Sequence, residues 1–268
     1  MISSFSNTKV KSVIALRDKH KARKERGAFL VEGIRMLSEV RDEDVLEVYV
    51  SASFLEHADE MTQNKLQAFS DRLEVLTDPV FLKISDTRTP QGVLVVVRRT
   101  EWSKEDLFDP GHNGGNPLLL LCERIQDPGN LGTILRTAEA AGATGVIISS
   151  DSADPYQPKT VRATMGAILR QPFVIVESVT EVVNFCKSRT VPVYAATLEK
   201  ASEYDTISYI GPCAFAIGNE GEGLRGETIA AATDRVYIPM QGQTESLNAS
   251  VAASVLLYEA NRQRRKGL

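Results

Sequence analysis

Short, almost continuously apolar runs mark the second half of this chain and constrain its fold more than any other feature. A strand without polar residues on either face must be covered on both faces, which is typical of a parallel sheet between two layers of helices. Helix-like segments fall between several of these runs. The sequence therefore predicts an α/β fold with a parallel sheet. The runs are LLLLC (118–122), GVIISS (145–150), PFVIVES (172–178), PVYAATL (192–198), CAFAIG (213–218) and RVYIPM (235–240).

A second, smaller α/β domain is predicted in the first part of the chain. Between residues 29 and 99, β-rich runs such as VLEVYVS and GVLVVVRR alternate with helix-like runs such as PVFLKIS. The Gly- and Pro-rich stretch FDPGHNGGNP then reads as a linker. These features predict an N-terminal domain over 1–107, a linker over 108–117 and a C-terminal domain over 118–268, which ends in a long helix from about Ser246 to Arg264.

Composition excludes several classes of protein. Hydrophobic residues at 43% and charged residues at 25% suit a soluble globular protein, and no run approaches the roughly 20 apolar residues of a membrane span. Three scattered cysteines, at 122, 186 and 213, predict buried, reduced thiols and a cytoplasmic protein without a metal site. The acid-poor, Ser- and Lys-containing N-terminus leaves an organelle transit peptide as a minor alternative.

Positive charge is concentrated near the N-terminus. The whole chain carries −4, but residues 9–26 (KVKSVIALRDKHKARKER) carry +6, which leaves −10 for the rest. Such a segment on an acidic protein indicates a phosphate-backbone partner, whereas the alternative is a solvated helix face. The candidate nucleic-acid-binding residues are Lys19, Lys21, Arg23, Lys24 and Arg26.

Three strands of the predicted parallel sheet run into loops rich in Gly, Asn, hydroxyl and carboxylate groups. These segments are ERIQDPGNLGTILRTAEAAG (123–142), CAFAIGNEGEGL (213–224) and YIPMQGQTESLNASVAASVLLYE (237–259). Strand ends followed by glycines and a helix start are where α/β folds bind small polar ligands, because free backbone groups converge there. Three such loops within about one domain length predict a single composite site.

Individual polar residues in these loops have a structural and a functional interpretation. Asn130, Ser246 and Asn248 could simply cap the helices that follow them. Arg136 is less easily explained, since it lies among Ile134, Leu135 and alanines, where an arginine usually needs an anionic partner.

The segment GEGLRG (221–226) also fits the dinucleotide pattern G-x-G-x-x-G, which would indicate a nucleotide-dependent oxidoreductase. That fingerprint opens its domain and is followed by a carboxylate at the end of the next strand. Here the next strand ends in Pro239 and Met240, near the end of the chain. We therefore interpret the match as coincidental.

Taken together, N-L-G-x-x-x-R (130–136), I-G-N-E-G-x-G (217–223) and I-P-M…E-S-L-N-A-S-V-A (238–252) resemble the three motifs of the SpoU, or TrmH, family of RNA ribose 2′-O-methyltransferases. The segment KARKERGAFLVEG (21–33) resembles the start of the substrate-binding domain found in many members. The resemblance implies a ribosomal L30e-like N-terminal domain and a C-terminal domain with a deep trefoil knot. It also implies a homodimer that binds RNA.

The resemblance further implies site residues and a cofactor, S-adenosyl-L-methionine (AdoMet). Arg136 would act as base or, more in keeping with guanidinium chemistry, grip the target phosphate. Glu220 would orient Arg136 or accept the proton, and Ser246 and Asn248 would hydrogen-bond the ribose or the first loop. The implied catalytic residues are Asn130, Arg136, Glu220, Ser246 and Asn248. The implied cofactor-binding residues are Thr197, Gly218, Ile238, Met240 and Leu247.

A separate recognition domain favours ribosomal RNA (rRNA) as substrate, because it suits a large folded RNA. Two alternatives stay open: a tRNA 2′-O-methyltransferase, and a non-catalytic RNA-binding protein on the same fold.

Overall fold

The computed structural model describes residues 1–109 and 115–267, and within them the chain forms two compact units. Unit 1 comprises Met1–Thr100 together with Asp154–Arg162, and unit 2 comprises the rest. No feature of the sequence indicates that a segment from the second half belongs to the first unit. The boundaries drawn at residues 107 and 118 stay predictions, and residues 110–114 of the proposed linker lie outside the described residues.

Unit 1 is built on a four-stranded mixed sheet with the strand order β1-β4-β2-β3. The strand β4 pairs antiparallel with both of its neighbours, while β2 and β3 are parallel. Its elements are α1 (Thr8–Asp18), α2 (His20–Arg26), β1 (Ala28–Glu32), α3 (Ile34–Glu39), β2 (Val45–Ser51), α4 (Ala52–His57), α5 (Glu60–Gln67), β3 (Leu73–Leu76), α6 (Asp78–Ile84) and β4 (Val93–Arg98).

The basic N-terminal segment forms α1 and α2, which break at Lys19. Val10, Val13 and Leu16 of α1 are completely buried and pack in the core of unit 1. Their spacing puts them on one helical face, so Lys9 and Lys11 face outward. Gly27, with a φ of 61°, ends α2 in the left-handed conformation that favours glycine.

Unit 2 contains a seven-stranded sheet with the order β7-β6-β5-β10-β8-β11-β9, and every pairing in it is parallel. The predicted parallel sheet is thus confirmed. The elements of this part of the chain are β5 (Leu118–Cys122), α7 (Pro128–Ala141), β6 (Gly145–Ser149), α8 (Pro158–Thr164), β7 (Phe173–Val176), α9 (Val179–Ser188), β8 (Val193–Ala196), β9 (Ser202–Glu203), β10 (Cys213–Ile217), α10 (Gly226–Ala231), β11 (Asp234–Tyr237) and α11 (Ala249–Lys266).

The central strands β5 and β10 are buried along their whole length, as their unbroken apolar runs predicted. All three cysteines are free and buried, which confirms the prediction of structural thiols. Loss of hydration raises the pKa of the Cys213 thiol to about 11 and that of Cys186 to about 12. Such thiols are unreactive at neutral pH.

The helix α7 begins earlier than the sequence suggested. Asp127, not Asn130, is its N-cap residue, and the Asp127 carboxylate accepts the Asn130 N–H at 2.9 Å. The predicted capping role of Asn130 is therefore wrong, because Pro128 already occupies the first helical turn. As a result, the Asn130 side chain is available for other contacts.

In the described part of the chain, no helix combines the length and the apolar character that crossing a bilayer requires. The same residues contain no cluster of three or more His, Cys, Asp or Glu side chains placed to hold a metal ion.

Candidate active site

A cavity of about 530 Å³ opens in unit 2 beside the carboxyl ends of β8, β10 and β11. The three strand-end loops predicted a composite site at this edge of the sheet, and the volume suits a ligand the size of a nucleoside cofactor. All five predicted cofactor-binding residues line it: Thr197, Gly218, Ile238, Met240 and Leu247. Leu224, Val236 and Leu256 supply apolar wall, and the backbone of the second and third loops supplies polar groups.

Gly218 allows two parts of the second loop to approach closely. A Cβ atom added at this position would lie 2.1 Å from the carbonyl carbon of Gly223 and 2.3 Å from the nitrogen of Leu224. Neither backbone atom could move without opening the loop. A glycine is therefore required where β10 enters the loop, next to the cavity.

The second loop closes on itself between Asn219 and Gly223. The N–H of each residue donates to the carbonyl oxygen of the other, at 3.0 and 2.9 Å. The Asn219 Oδ1 also accepts the N–H groups of Gly221 and Glu222, at 2.8 and 3.0 Å. These bonds form a tight turn that presents Glu220 at its tip.

Side chains from all three loops meet in one hydrogen-bonded chain. Asn248 Oδ1 caps α11 by accepting the N–H of Ser250 at 2.9 Å, so Asn248 Nδ2 must point away from the helix. That nitrogen donates to Asn130 Oδ1 at 3.0 Å, and Asn130 Nδ2 donates to Glu220 Oε1 at 2.8 Å. Each amide is thus oriented by the next, and the chain of donors ends on the Glu220 carboxylate.

Two of the predicted catalytic residues, Ser246 and Arg136, take no part in this network of hydrogen bonds. Ser246 lines the cavity but makes no hydrogen bond among the described residues. Arg136 is exposed on α7 and has no ion pair within the same residues. The expected apolar setting of Arg136 is wrong, because Ile134 and Leu135 point into the core while Arg136 shares the solvent face of α7 with Thr133 and Ala140.

Comparison with known proteins identifies the family. Residues 117–258, which contain all three loops, match the SpoU rRNA Methylase family, and residues 7–95 match the MRM3-like substrate binding domain. This chain belongs to the SpoU rRNA methylase family. A relative from Bacillus subtilis, the 23S rRNA (guanosine(2553)-2′-O)-methyltransferase RlmP, is 32% identical over 96% of this chain and 97% of its own length.

Solved methyltransferase structures share the fold along nearly the whole chain. The AdoMet-bound rRNA methyltransferase from Sinorhizobium meliloti superposes with a TM-score of 0.84 at 30% identity, covering 98% of this chain and 97% of its own. The SpoU methyltransferase AviRb from Streptomyces viridochromogenes, in complex with AdoMet, gives 0.84 at 27% identity, covering 97% and 100%.

Two residues that organise the SpoU second motif were not predicted from the sequence. Glu123 and Arg124 directly follow β5, and both contact the segment from Asn219 to Arg225. A carboxylate next to LLLLC could have been noticed as a buried polar group. The left-handed φ of 59° at Arg124 leaves no sequence signal, because it is rare outside glycine.

In the substrate-binding domain, the predicted RNA-binding set must be corrected at Arg23. Its side chain is only 6% exposed, pairs with Asp154 at 2.7 Å, and donates to the carbonyl oxygens of Leu16 and Arg17. With its donors occupied inside unit 1, Arg23 is unavailable to a phosphate. Arg26 is bound to Glu47 and Ser12.

The lysines of the same set remain accessible. Lys19 and Lys24 are exposed and unpaired among the described residues. Lys21 is 84% exposed, with a loose contact to Glu25 at 3.7 Å.

Proposed function

We propose that this SpoU-family protein uses AdoMet to methylate a ribose 2′-hydroxyl in rRNA. The observation that carries the proposal is the meeting of the three loops: Asn130, Glu220 and Asn248 are hydrogen-bonded beside a cavity of cofactor size. A non-catalytic RNA-binding protein would have no need to keep a carboxylate oriented at the mouth of such a cavity.

The cavity suits AdoMet in shape and in chemistry. Adenine and ribose are held best by backbone donors and acceptors between apolar walls, and the loops after β8, β10 and β11 provide both. The required glycine at position 218 allows the loop after β10 to fold back tightly on itself beside the cavity. We assign the contacts to Thr197, Gly218, Ile238, Met240 and Leu247. When bound, AdoMet supplies an electrophilic methyl group for the ribose oxygen.

Glu220 is the proton acceptor in this proposal. The 2′-hydroxyl is a poor nucleophile and must share or lose its proton as it reacts. Glu220 uses Oε1 to accept from Asn130, while its other oxygen has no partner among the described residues. A carboxylate can take the proton, whereas a guanidinium group holds its own far above neutral pH.

Arg136 binds the phosphate next to the target ribose. An exposed, unpaired guanidinium group can form two parallel hydrogen bonds to a phosphate, which fixes the position of the neighbouring sugar. Ser246, at the cavity edge, hydrogen-bonds the ribose.

We propose rRNA rather than tRNA as the substrate. The support is the match of residues 7–95 to a substrate binding domain and the rRNA specificity named for the relative RlmP, which this chain matches over nearly its full length. Lys19, Lys21 and Lys24 contact RNA phosphates and set the register of the substrate without reading bases.

The proposal includes an assembly state. Val251 and Tyr258 are 46% and 48% exposed on α11, about two turns apart along the same helical face. Large apolar groups in such a stripe favour burial against a second copy, so we propose a homodimer. We also propose a cytoplasmic protein, a deep trefoil knot in unit 2 and an L30e-like classification of unit 1.

Methyl transfer from tritiated AdoMet tests the proposed function. We expect label in a 23S rRNA transcript and none in tRNA, and the labelled dinucleotide should resist alkaline hydrolysis because its 2′-oxygen is blocked. Equal labelling of tRNA would favour the tRNA alternative. Binding of rRNA without any transfer, and without binding of S-adenosylhomocysteine, would favour the non-catalytic one.

A further inference from the structure

Glu123 and Arg124, at the end of β5, hold both ends of the second-motif loop without lining the cavity. We propose that this pair is the positioning element of the cofactor site, so that affinity for AdoMet depends on two residues that do not touch it. The inference rests on the proposed function, since it assumes that the cavity binds AdoMet.

Glu123 holds the C-terminal end of the loop, where α10 begins. Its carboxylate is 0% exposed, accepts the N–H of Arg225 at 2.6 Å and accepts the Thr228 hydroxyl at 2.7 Å. Arg225 directly precedes α10, so the Glu123 side chain satisfies one of the free N–H groups at the start of that helix. A buried carboxylate that caps a helix from another element fixes the position of that helix relative to β5.

Arg124 holds the near end and the tip of the loop. Its carbonyl oxygen accepts Asn219 Nδ2 at 3.0 Å, while its guanidinium group pairs with Glu222 and donates to the carbonyl oxygen of Gly223 at 3.3 Å. Asn219 and Gly223 are the two residues that close the loop, and Glu220 lies between them. Arg124 therefore fixes the turn that presents the Glu220 carboxylate.

The backbone of Arg124 is strained in order to make these contacts. Its φ of 59° lies in the left-handed region, and its N–H is held by Ser149 Oγ at 2.8 Å. Its Nε is buried and has no hydrogen-bond partner among the described residues. An arginine persists in such a conformation only where the contacts of its side chain and carbonyl group compensate for the strain, and strain of this kind clusters at functional sites.

The inference predicts that cofactor affinity and protein stability change independently of each other in variants of Arg124. Arg124→Gly removes the guanidinium group but also relieves the backbone strain, so the variant should be at least as stable as Arg124→Ala. Both variants should bind S-adenosylhomocysteine about tenfold more weakly than wild type, because the loop loses a charge-assisted contact at its tip. Arg124→Lys keeps the charge but not the forked geometry of the guanidinium group, so its affinity for S-adenosylhomocysteine should be about threefold lower than that of wild type.

Lys187 provides the matched control. Lys187 Nζ donates to the carbonyl oxygen of Ala231 at 2.7 Å, at the opposite end of α10 from Glu123. Lys187→Ala removes a hydrogen bond from the same helix without touching the loop, so its affinity for the cofactor product should equal that of wild type.

The experiment is calorimetric titration of full-length wild type, Arg124→Gly, Arg124→Ala, Arg124→Lys and Lys187→Ala with S-adenosylhomocysteine, together with thermal unfolding of each. The KM for AdoMet should rise with the dissociation constant, whereas loss of folded protein would lower kcat alone. Glu123→Gln keeps an acceptor oxygen and should retain more affinity than Glu123→Ala.

Wild-type affinity in both Arg124→Gly and Arg124→Ala would overturn the inference while leaving the proposed function intact. Affinity losses that merely follow melting temperature, with Arg124→Gly equal to wild type, would also overturn it. Failure of wild type itself to bind S-adenosylhomocysteine would instead contradict the proposed function.

Discussion

The two units differ in whether their charged and polar side chains are paired within the fold or left available to a ligand. In unit 1, two arginines of the basic segment form ion pairs within the unit and are not available to a ligand. Arg23 is buried against Asp154, and Arg26 is bound to Glu47. In unit 2, the polar groups of three loops gather at one edge of the parallel sheet, and Glu220 is left with an unused oxygen there. Density of charge in a sequence is thus a poorer guide to function than its position at strand ends.

Removing Arg136 should produce the largest effect and tests the unit 2 side of this comparison. Arg136→Ala should lower the rate of RNA methylation by about 10³-fold or more, because the target phosphate loses its bidentate partner and the 2′-hydroxyl its alignment. The affinity for S-adenosylhomocysteine should stay within about twofold, since Arg136 does not line the cavity. Single-turnover assays and calorimetry measure the two quantities. Near-normal turnover would remove Arg136 from the site.

The chain of donors from Asn248 to Glu220 can be broken at its centre. Asn130→Asp keeps the size of the side chain but loses the amide donor and sets a second carboxylate against Glu220. We expect turnover to fall about 10²-fold, the scale of a misplaced catalytic group. Turnover of the Asn130→Ala variant should fall by a similar factor, although this variant introduces no repulsion with Glu220. Thr133→Ala, on the solvent face of the same helix, serves as the control. Retained activity in both Asn130 variants would mean that the contact with Glu220 is incidental.

In unit 1 the prediction depends on which cations the fold leaves free. Reversing the charge at Lys19, Lys21 and Lys24 should weaken rRNA binding and reduce the steepness of log K against log salt by about 2 to 3, at about 0.7–0.9 per lost phosphate contact. Filter-binding assays across a salt series measure this slope. Unchanged slopes would exclude this surface from RNA binding.

Arg23 should behave as a structural residue in the same series. Arg23→Met leaves Asp154 without its cation, and breaking such a buried pair costs about 3 kcal/mol of stability. Chemical unfolding should report that loss, while the salt dependence of RNA binding in the folded fraction stays at the wild-type value. A reduced salt slope without destabilisation would show that Arg23 contacts RNA after all.

The smallest effect should appear at alkaline pH and should differ between the units. Burial raises the pKa of Cys213 to about 11, above the roughly 8.5 of a free thiol. This stabilisation is complete below pH 8.5 and is lost as the pH rises towards 11, by at most about 1.4 kcal/mol per pH unit for each proton. In unit 1, burial and a hydrogen bond to Glu47 raise the pKa of Tyr49 above its ordinary value of about 10.

Unfolding free energies at pH 8, 9.5 and 10.5 distinguish the two groups. Cys213→Ala should flatten the loss of stability already between pH 8.5 and 10, whereas Tyr49→Phe should change the profile only above pH 10. If both substitutions act over the same pH range, the assignment of separate titrations is wrong.

Much of the fold was predictable because its signals are local. The unbroken apolar run Leu118–Cys122 predicted a buried parallel strand, and the motif residues at strand ends predicted the edge where the cavity lies. Long-range contacts were not predictable. Nothing in the sequence shows that Asp154 lies against Arg23, because that pairing joins positions far apart in the chain.

Local conformations that differ from the usual preference of a residue were equally unpredictable from the sequence. Asn130 looked like a helix cap, yet Asp127 caps α7 and Asn130 turns to Glu220 instead. The left-handed backbone of Arg124 is stabilised by contacts with Ser149 and Asn219, which only the folded chain brings together.

A crystal structure of the protein grown with S-adenosylhomocysteine tests the central claim most directly. The account predicts density for the ligand inside the cavity, against the backbone of Gly218, Ile238 and Leu247, with Glu220 still bonded to Asn130. Ligand density elsewhere on the chain, or a cavity without ligand at saturating concentration, would contradict it.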